Sequence, residues 1–305
     1  MVYISIDDNI KTIQYVNIIK CVSQMNSQGT MTWGIDEEGM TIQCIDSNNT
    51  GFFDCTIPST WFTTFKISDV SDFVCLVRVA DLHQIKQLSS LKNNDSKIDI
   101  EIIQNRCHFR IKSKQSGFSI CVEFNIQIGN DQNILASCVD HDINRFHIDQ
   151  NNLHDIMNHI CNTYDIYTFS YDTDKSENTF TLSIQNMKEN CRTILTSNVF
   201  PHENTDIIIH PDHSIKIYGY ALTYLRTFSQ SLSNEYYDNY TLCIKQNIPL
   251  YLSSVLYPKT KKDDSQCIQF AFYLSPVQIT HDYEKYGLHH IDDMNDVICD
   301  MIIKN

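Results

Sequence analysis

MTWGIDEEGMTIQCIDSNNTGFFDCTI, residues 31–57, holds three short runs rich in β-branched and aromatic side chains, MTWGI, MTIQCI and GFFDCTI, parted by the turn segments DEEG and SNNTG. Runs of five to seven residues between turns this close are too short for helices and read as strands. The same texture continues outward in DFVCLVRV (72–79), KIDIEII (97–103), CHFRIK (107–112) and GFSICVEF (117–124). Four segments interrupt it with helical spacing: Ile13–Met25, Ala80–Leu91, Asn152–Cys161 and Ala221–Leu232. In the second, Leu82, Ile85, Leu88 and Leu91 form an apolar stripe opposed by His83, Lys86 and Ser90. In the third, Leu153, Ile156 and Ile160 are opposed by His154, Asn158 and Asn162. Each such helix has one face for a sheet and one for something else.

The order of elements repeats. Strand, helix, strands, helix, strands fills the first half. INRFHID (143–149) opens the same order again, with strands at DIYTFSYD, NTFTLSIQN, CRTILTS and DIIIHP before the last helix and YTLCIKQ, IPLYLSSVLYP and CIQFAFYLSP after it. The expected fold class is α+β in two tandem domains, 1–129 and 143–278. NDQNILASCVDHD (130–142) joins them and 279–305 is an extension.

Composition narrows the function. A chain of 305 residues suits about two domains. Only 8 are glycine, and no GxGxxG, GxxxxGK[ST] or GxSxG is present, which disfavours phosphate-loop enzymes and serine hydrolases of the elbow type. A net charge of −14 disfavours a protein coated in nucleic acid, though a local basic face can override the total. The 12 cysteines are evenly spread without a CxxC pair, so a zinc site is not expected. The N-terminal MVYISIDDNIK has no signal-peptide core, and no run nears the roughly 18 apolar residues of a membrane helix. A soluble protein with reduced thiols, in nucleus or cytoplasm, is expected.

GIDEEGMTIQCIDSNNTGFFDCTIPSTWF resembles the sliding-clamp family of the PCNA type. YALTYLRTFSQSLSNEYYDNYTLCIKQNIPLYLSSV resembles that family's last helix and following strands, and FYLSP (272–276) its closing segment. The matches stand in the family's order over roughly residues 1–278. The resemblance implies a DNA polymerase processivity factor, with no enzymatic activity and no cofactor or metal. Three subunits would form a ring of six similar domains, with helices around a channel and sheets outside. Its partners would be duplex DNA held without sequence preference, a DNA polymerase, a clamp-loader ATPase and proteins carrying clamp-binding peptide motifs, with no membrane. Richness in Ile, Asn and Asp suits a viral or otherwise divergent source. Neighbouring alternatives are a checkpoint-type or heterotrimeric clamp subunit and a monomeric clamp-fold polymerase accessory protein. A metal-dependent hydrolase would need clustered carboxylates that the chain does not supply.

By family position, Lys20, Arg78, Lys86 and Arg226, helped by His83, His154 and His159, would meet phosphates at any register. Asn158, Thr223 and Gln230 stand where the family carries cations, so the basic face is thin. The partner-peptide pocket would be built from Ile45, Asn48, Asn49 and Thr50, from Ile134, Leu135 and Val139 of the connector, and from Tyr273, Leu274, Ser275 and Pro276. An aromatic plug would enter it. Subunits would join by pairing Gly117, Phe118, Ser119, Ile120, Cys121 and Val122 of one with Cys191, Arg192, Thr193, Ile194 and Leu195 of the next.

Other clusters read as decoration. His210-Pro-Asp-His213 and His289-His290-Ile-Asp-Asp lack a third ligand at a metal-binding spacing. Asp7-Asp8 and Asp36-Glu37-Glu38 fall where turns belong, and Lys259–Lys262 suits a hairpin loop. In the extension, Ile291, Met294, Ile298, Met301 and Ile302 predict a short amphipathic helix after Gly287.

Overall fold

A computed structural model describes residues 1–26, 28–48, 50–68, 72–82, 96–114, 117–129, 145–160, 165–174, 179–188, 191–201, 214–231, 240–244, 249–257 and 266–276. Local chemistry starts two of the helices. Asp8 lies in extended backbone, and its Oδ1 accepts the N–H groups of Ile10 (2.8 Å) and Lys11 (3.0 Å), capping α1 (Asn9–Met25). Such a cap contributes about 1 kcal/mol. Tyr15, Ile18, Ile19, Val22 and Met25 drive one side of α1 into the core. Ile13, Asn17, Lys20 and Gln24, at the spacing of one helix face, stay exposed or half-buried on the other. Asp149 caps α2 (Gln150–His159) in the same way, through Asn151 (2.8 Å) and Asn152 (3.4 Å). Helix α3 (Gly219–Ser231) packs against both α1 and α2.

Two antiparallel sheets support the helices. The five-stranded sheet runs β5 (Thr64–Ile67), β1 (Val2–Ile6), β7 (Ser96–Ile103), β8 (Arg106–Ser113), β9 (Ser119–Asn125). The larger sheet has 13 strands. Its first part runs β10 (Gln127–Ile128), β6 (Asp72–Arg78), β2 (Thr30–Asp36), β3 (Gly39–Ile45), β4 (Gly51–Pro58). It continues β18 (Ile268–Leu274), β17 (Leu250–Leu256), β16 (Tyr240–Cys243), β11 (Arg145–Ile148), and ends β14 (Cys191–Pro201), β13 (Thr179–Lys188), β12 (Ile166–Asp174), β15 (Ser214–Tyr218). The chain's last described strand, β18, thus pairs with β4 near its beginning, from Gln269↔Thr56 to Leu274↔Gly51. Phe53 and Phe272 meet across that joint with ring centroids 4.8 Å apart, and both are fully buried.

The sequence-predicted strands from 31 to 124 are all present. SIKIY, β15, was missed because, among its described side chains, it offers Ile215 and Ile217 to the core and gains its place from pairing with β12. DIIIHP (206–211) lies outside the described residues. The predicted helix Ala80–Leu91 opens as a short 3-10 turn over Val79–Leu82, and 83–91 lie outside the described residues. So do the connector 130–142, the two histidine clusters, Lys259–Lys262 and the extension with its predicted helix. The two acidic groups are structural. Asp7 pairs with Lys114, while Asp36 Oδ1 accepts from the N–H groups of Glu38 (2.9 Å) and Gly39 (3.0 Å) at the β2–β3 turn. No helix among the described residues is long and apolar enough to cross a membrane.

Candidate functional site

Two of the residues predicted for the basic face lie on helices that pack together. Lys20 on α1 and Arg226 on α3 are half-buried, and the two helices pack together. On α2, His159 is exposed and His154 half-buried. His159 Nδ1 lies 2.7 Å from the Asp155 carbonyl oxygen, so that nitrogen donates and the proton sits there. Arg78 is exposed but ends strand β6 instead of lying on a helix face. His83 and Lys86 lie outside the described residues. Asn158 and Thr223 are half-buried on the same layer. Ile13 is 47% exposed on the face of α1 that carries Lys20, an apolar member that cation-seeking missed.

The residues of the predicted pocket differ in exposure. The β3–β4 loop and the end of β18 meet, because the Ser275 N–H donates to the Thr50 carbonyl at 2.8 Å and Gly51 pairs with Leu274. Asn48 is exposed, and Ile45, Tyr273 and Pro276 are half-buried, so these can touch a ligand. Thr50, Leu274 and Ser275 are buried, Leu274 completely. All three are drawn inward at the β4–β18 joint. Asn49, Ile134, Leu135 and Val139 lie outside the described residues. Two aromatic neighbours were missed. Phe52 and Tyr251 stand 5.5 Å and 5.1 Å from the Tyr273 ring. Their strand register, which no local pattern displays, puts them there.

The proposed subunit edges are open. β9 pairs with β8 from Ser119 to Asn125, and among the described residues no strand covers its other side. β14 pairs with β13 from Cys191 to Val199, while β11 meets only Phe200 and Pro201, leaving one edge of Cys191–Asn198 uncovered among the described residues. Gly117 sits at φ +67°, in the left-handed region that favours glycine, and with Phe118 leads into β9 instead of belonging to it. Phe118 is 56% and Ile194 is 47% exposed. Cys121 is exposed, whereas Ile120, Val122 and Leu195 are half-buried, the last two packed on the core. Nothing is described of the side chains of Cys191, Arg192 and Thr193. Apolar side chains on uncovered strand edges are a template for another chain.

No family model and no curated protein matches the chain by sequence. By structure it is similar to the Proliferating Cellular Nuclear Antigen of Entamoeba histolytica, with a TM-score of 0.61 and 12% identity over 91% of this chain and 99% of that one. The fold is PCNA-like. At 12% identity the likeness is one of fold, so site residues rest on their own geometry. Within the PCNA-like fold of this chain, the helices carry Lys20 and Arg226 on one layer, and the loop–β18 junction lies on the joint between its N-terminal and C-terminal halves.

Proposed function

We propose that the chain is a DNA sliding clamp, a scaffold with no chemistry of its own. Two domains, 1–129 and 143–278, joined by 130–142, close with two further copies into a ring around duplex DNA. The observation that carries this reading is a repeated joint used once inside the chain and left open at its ends. β4 belongs to the N-terminal half and is the fourth strand of its order, and it pairs antiparallel with β18, the last strand of the C-terminal half. β14 and β9 stand at the matching places of the opposite halves, and each has an uncovered edge. Pairing β9 of one copy with β14 of the next repeats the internal joint and leaves neither edge exposed. The helix layer then surrounds the opening. Lys20 and Arg226 meet phosphates, with Arg78, His83, Lys86, His154 and His159 as further contacts, and no side chain is needed at base edges.

On the outside, the junction of Asn48, Tyr273 and Pro276 with Leu135 of the connector would receive peptides from a polymerase and other DNA-processing proteins. Negative-stain electron microscopy of the full chain tests the reading. Hollow rings of about 107 kDa, three times 35.5 kDa, are expected. Solid particles of one chain at micromolar concentration refute it.

A further inference from the structure

Asp46 follows β3 and is only 2% exposed. A carboxylate taken out of water is costly unless its lone pairs are met. Oδ1 accepts from the N–H groups of Thr50 (2.6 Å) and Gly51 (2.7 Å). Oδ2 accepts from the Thr50 hydroxyl (3.0 Å), the Asn48 N–H (3.4 Å) and the Tyr224 hydroxyl (3.1 Å). Four of these five donors come from the carboxylate's own loop and would form wherever the chain turned as Asp-Ser-Asn-Asn-Thr-Gly. The fifth comes from α3, 178 residues away.

The loop sits where three elements converge. Asn26, at the C-terminal cap of α1, donates its Nδ2–H to the Ile45 carbonyl at 3.0 Å, and Ser275 beyond β18 donates to Thr50. A Cβ placed on Gly51 would lie 3.4 Å from Leu274, 3.5 Å from Tyr224 and 3.6 Å from Met25. The local bonds shape the turn as a body. Its tilt against the end of β18 is set by the ties from other elements, among which the Tyr224 hydroxyl reaches the carboxylate from α3.

We propose that Tyr224 is a positioning residue for the partner-peptide pocket: its hydroxyl clasps Asp46 and holds Asp46, Asn48 and Thr50 in the orientation that receives a peptide between the loop and the end of β18. The proposal rests on the clamp reading of that pocket. A loop held beforehand binds more tightly because its ordering is not charged to the binding step. Because the clasp leaves from the helix that also carries Arg226, it ties the outer pocket to the helix layer without touching the peptide.

Calorimetry on the full chain, with a synthetic peptide bearing a glutamine, an aliphatic residue and two aromatics, tests it in four proteins. Tyr224→Phe keeps the ring packing and removes one hydrogen bond to a carboxylate. It should weaken binding about tenfold, the low end for a hydrogen bond to a charged group, while the melting temperature falls by no more than about 5 °C. Amide exchange at Asn48, Thr50 and Gly51 should rise by a similar factor. Asp46→Asn should weaken binding less than Asp46→Ala, since its oxygen can serve the Thr50 and Gly51 N–H groups and its NH2 can donate to both hydroxyls, while the Asn48 N–H loses its acceptor. Asp46→Ala should lose binding outright. Wild-type affinity in Tyr224→Phe overturns the clasp. So does weakened binding with unchanged loop exchange. A wild-type chain that binds no peptide overturns the pocket reading itself, and the clasp's role with it.

Discussion

Replacing Ile194 with aspartate should take the ring apart without unfolding the chain. Ile194 lies on the uncovered edge of β14 and is 47% exposed in the single subunit, so the folded monomer loses little when it changes. In the proposed joint its remaining surface is buried. Full burial of an isoleucine is worth about 1.5–3 kcal/mol, so roughly 1 kcal/mol is lost per joint. An unpaired carboxylate placed there costs at least about 2 kcal/mol more. The sum, about 3 kcal/mol, is a factor of roughly a hundred in the affinity of each joint. Against it stand about seven backbone hydrogen bonds along β9, each worth a net ~0.5–1.5 kcal/mol before the cost of association. Light scattering coupled to gel filtration at micromolar concentration should therefore move from about 107 kDa to the 35.5 kDa of one chain. Cys121→Asp on the partner edge should act alike. Ile166→Asp is the control, because Ile166 is 40% exposed on β12, a strand paired on both sides. A wild type already at one chain's mass, or Ile194→Asp and Ile166→Asp of equal mass, refutes the joint.

Lys20→Ala and Arg226→Ala should each weaken binding to any duplex and flatten the plot of log affinity against log salt, by about 0.9 for every phosphate left without its cation. Unchanged slopes in both would remove the helix layer from the DNA path. Gly39→Ala should lower the melting temperature by about 5–10 °C. At φ +157° its new Cβ would lie 2.1 Å from the Ile57 carbonyl oxygen and 2.9 Å from Pro58 Cα, and backbone cannot yield as a side chain can. Gly117→Ala, with nothing within 4 Å, meets only its φ of +67° and should cost far less in the same calorimetric scan. Equal melting shifts would contradict the steric clash at Gly39.

Burial pushes the Cys44 and Cys75 thiols up to about 12. Unfolded thiols ionise near 9.0 while the folded ones keep their protons, so this stabilisation is whole below pH 9 and is lost as pH rises towards 12. The unfolding free energy from urea titrations should fall steeply between pH 8 and 10.5, by about 2 kcal/mol per thiol. A flat profile contradicts the burial of these groups.

Much of the candidate site could be read one residue at a time, yet its assembly could not. Asn48 and Thr50 stood out as a polar turn, and Tyr273 to Pro276 as a closing segment. That Thr50 and Leu274 are buried while Asn48 is exposed and Pro276 half-buried follows from the β4–β18 register. Asp46 was passed over because its local role as a turn-former conceals the Tyr224 hydroxyl. Lys20 and Arg226 were found as cations on helix faces, while Ile13 beside Lys20 was missed because it reads as core.

The amino-acid sequence determined what depends on neighbours along the chain. Alternation placed β2, β3, β4 and β6 to β9, and helical spacing placed α1 to α3, because side-chain direction is set within a few residues, whereas the capping aspartates that start α1 and α2 earlier than that spacing showed came from the structure. Only the tertiary structure decided which strands meet. β4 with β18, the bare edges of β9 and β14, and the place of the weakly patterned β15 all depend on backbone groups that every residue carries alike. An N–H does not announce its partner in the residue that bears it. The choice is made by the shape of the whole core, where pairing one edge and leaving another open is settled by what else must be buried.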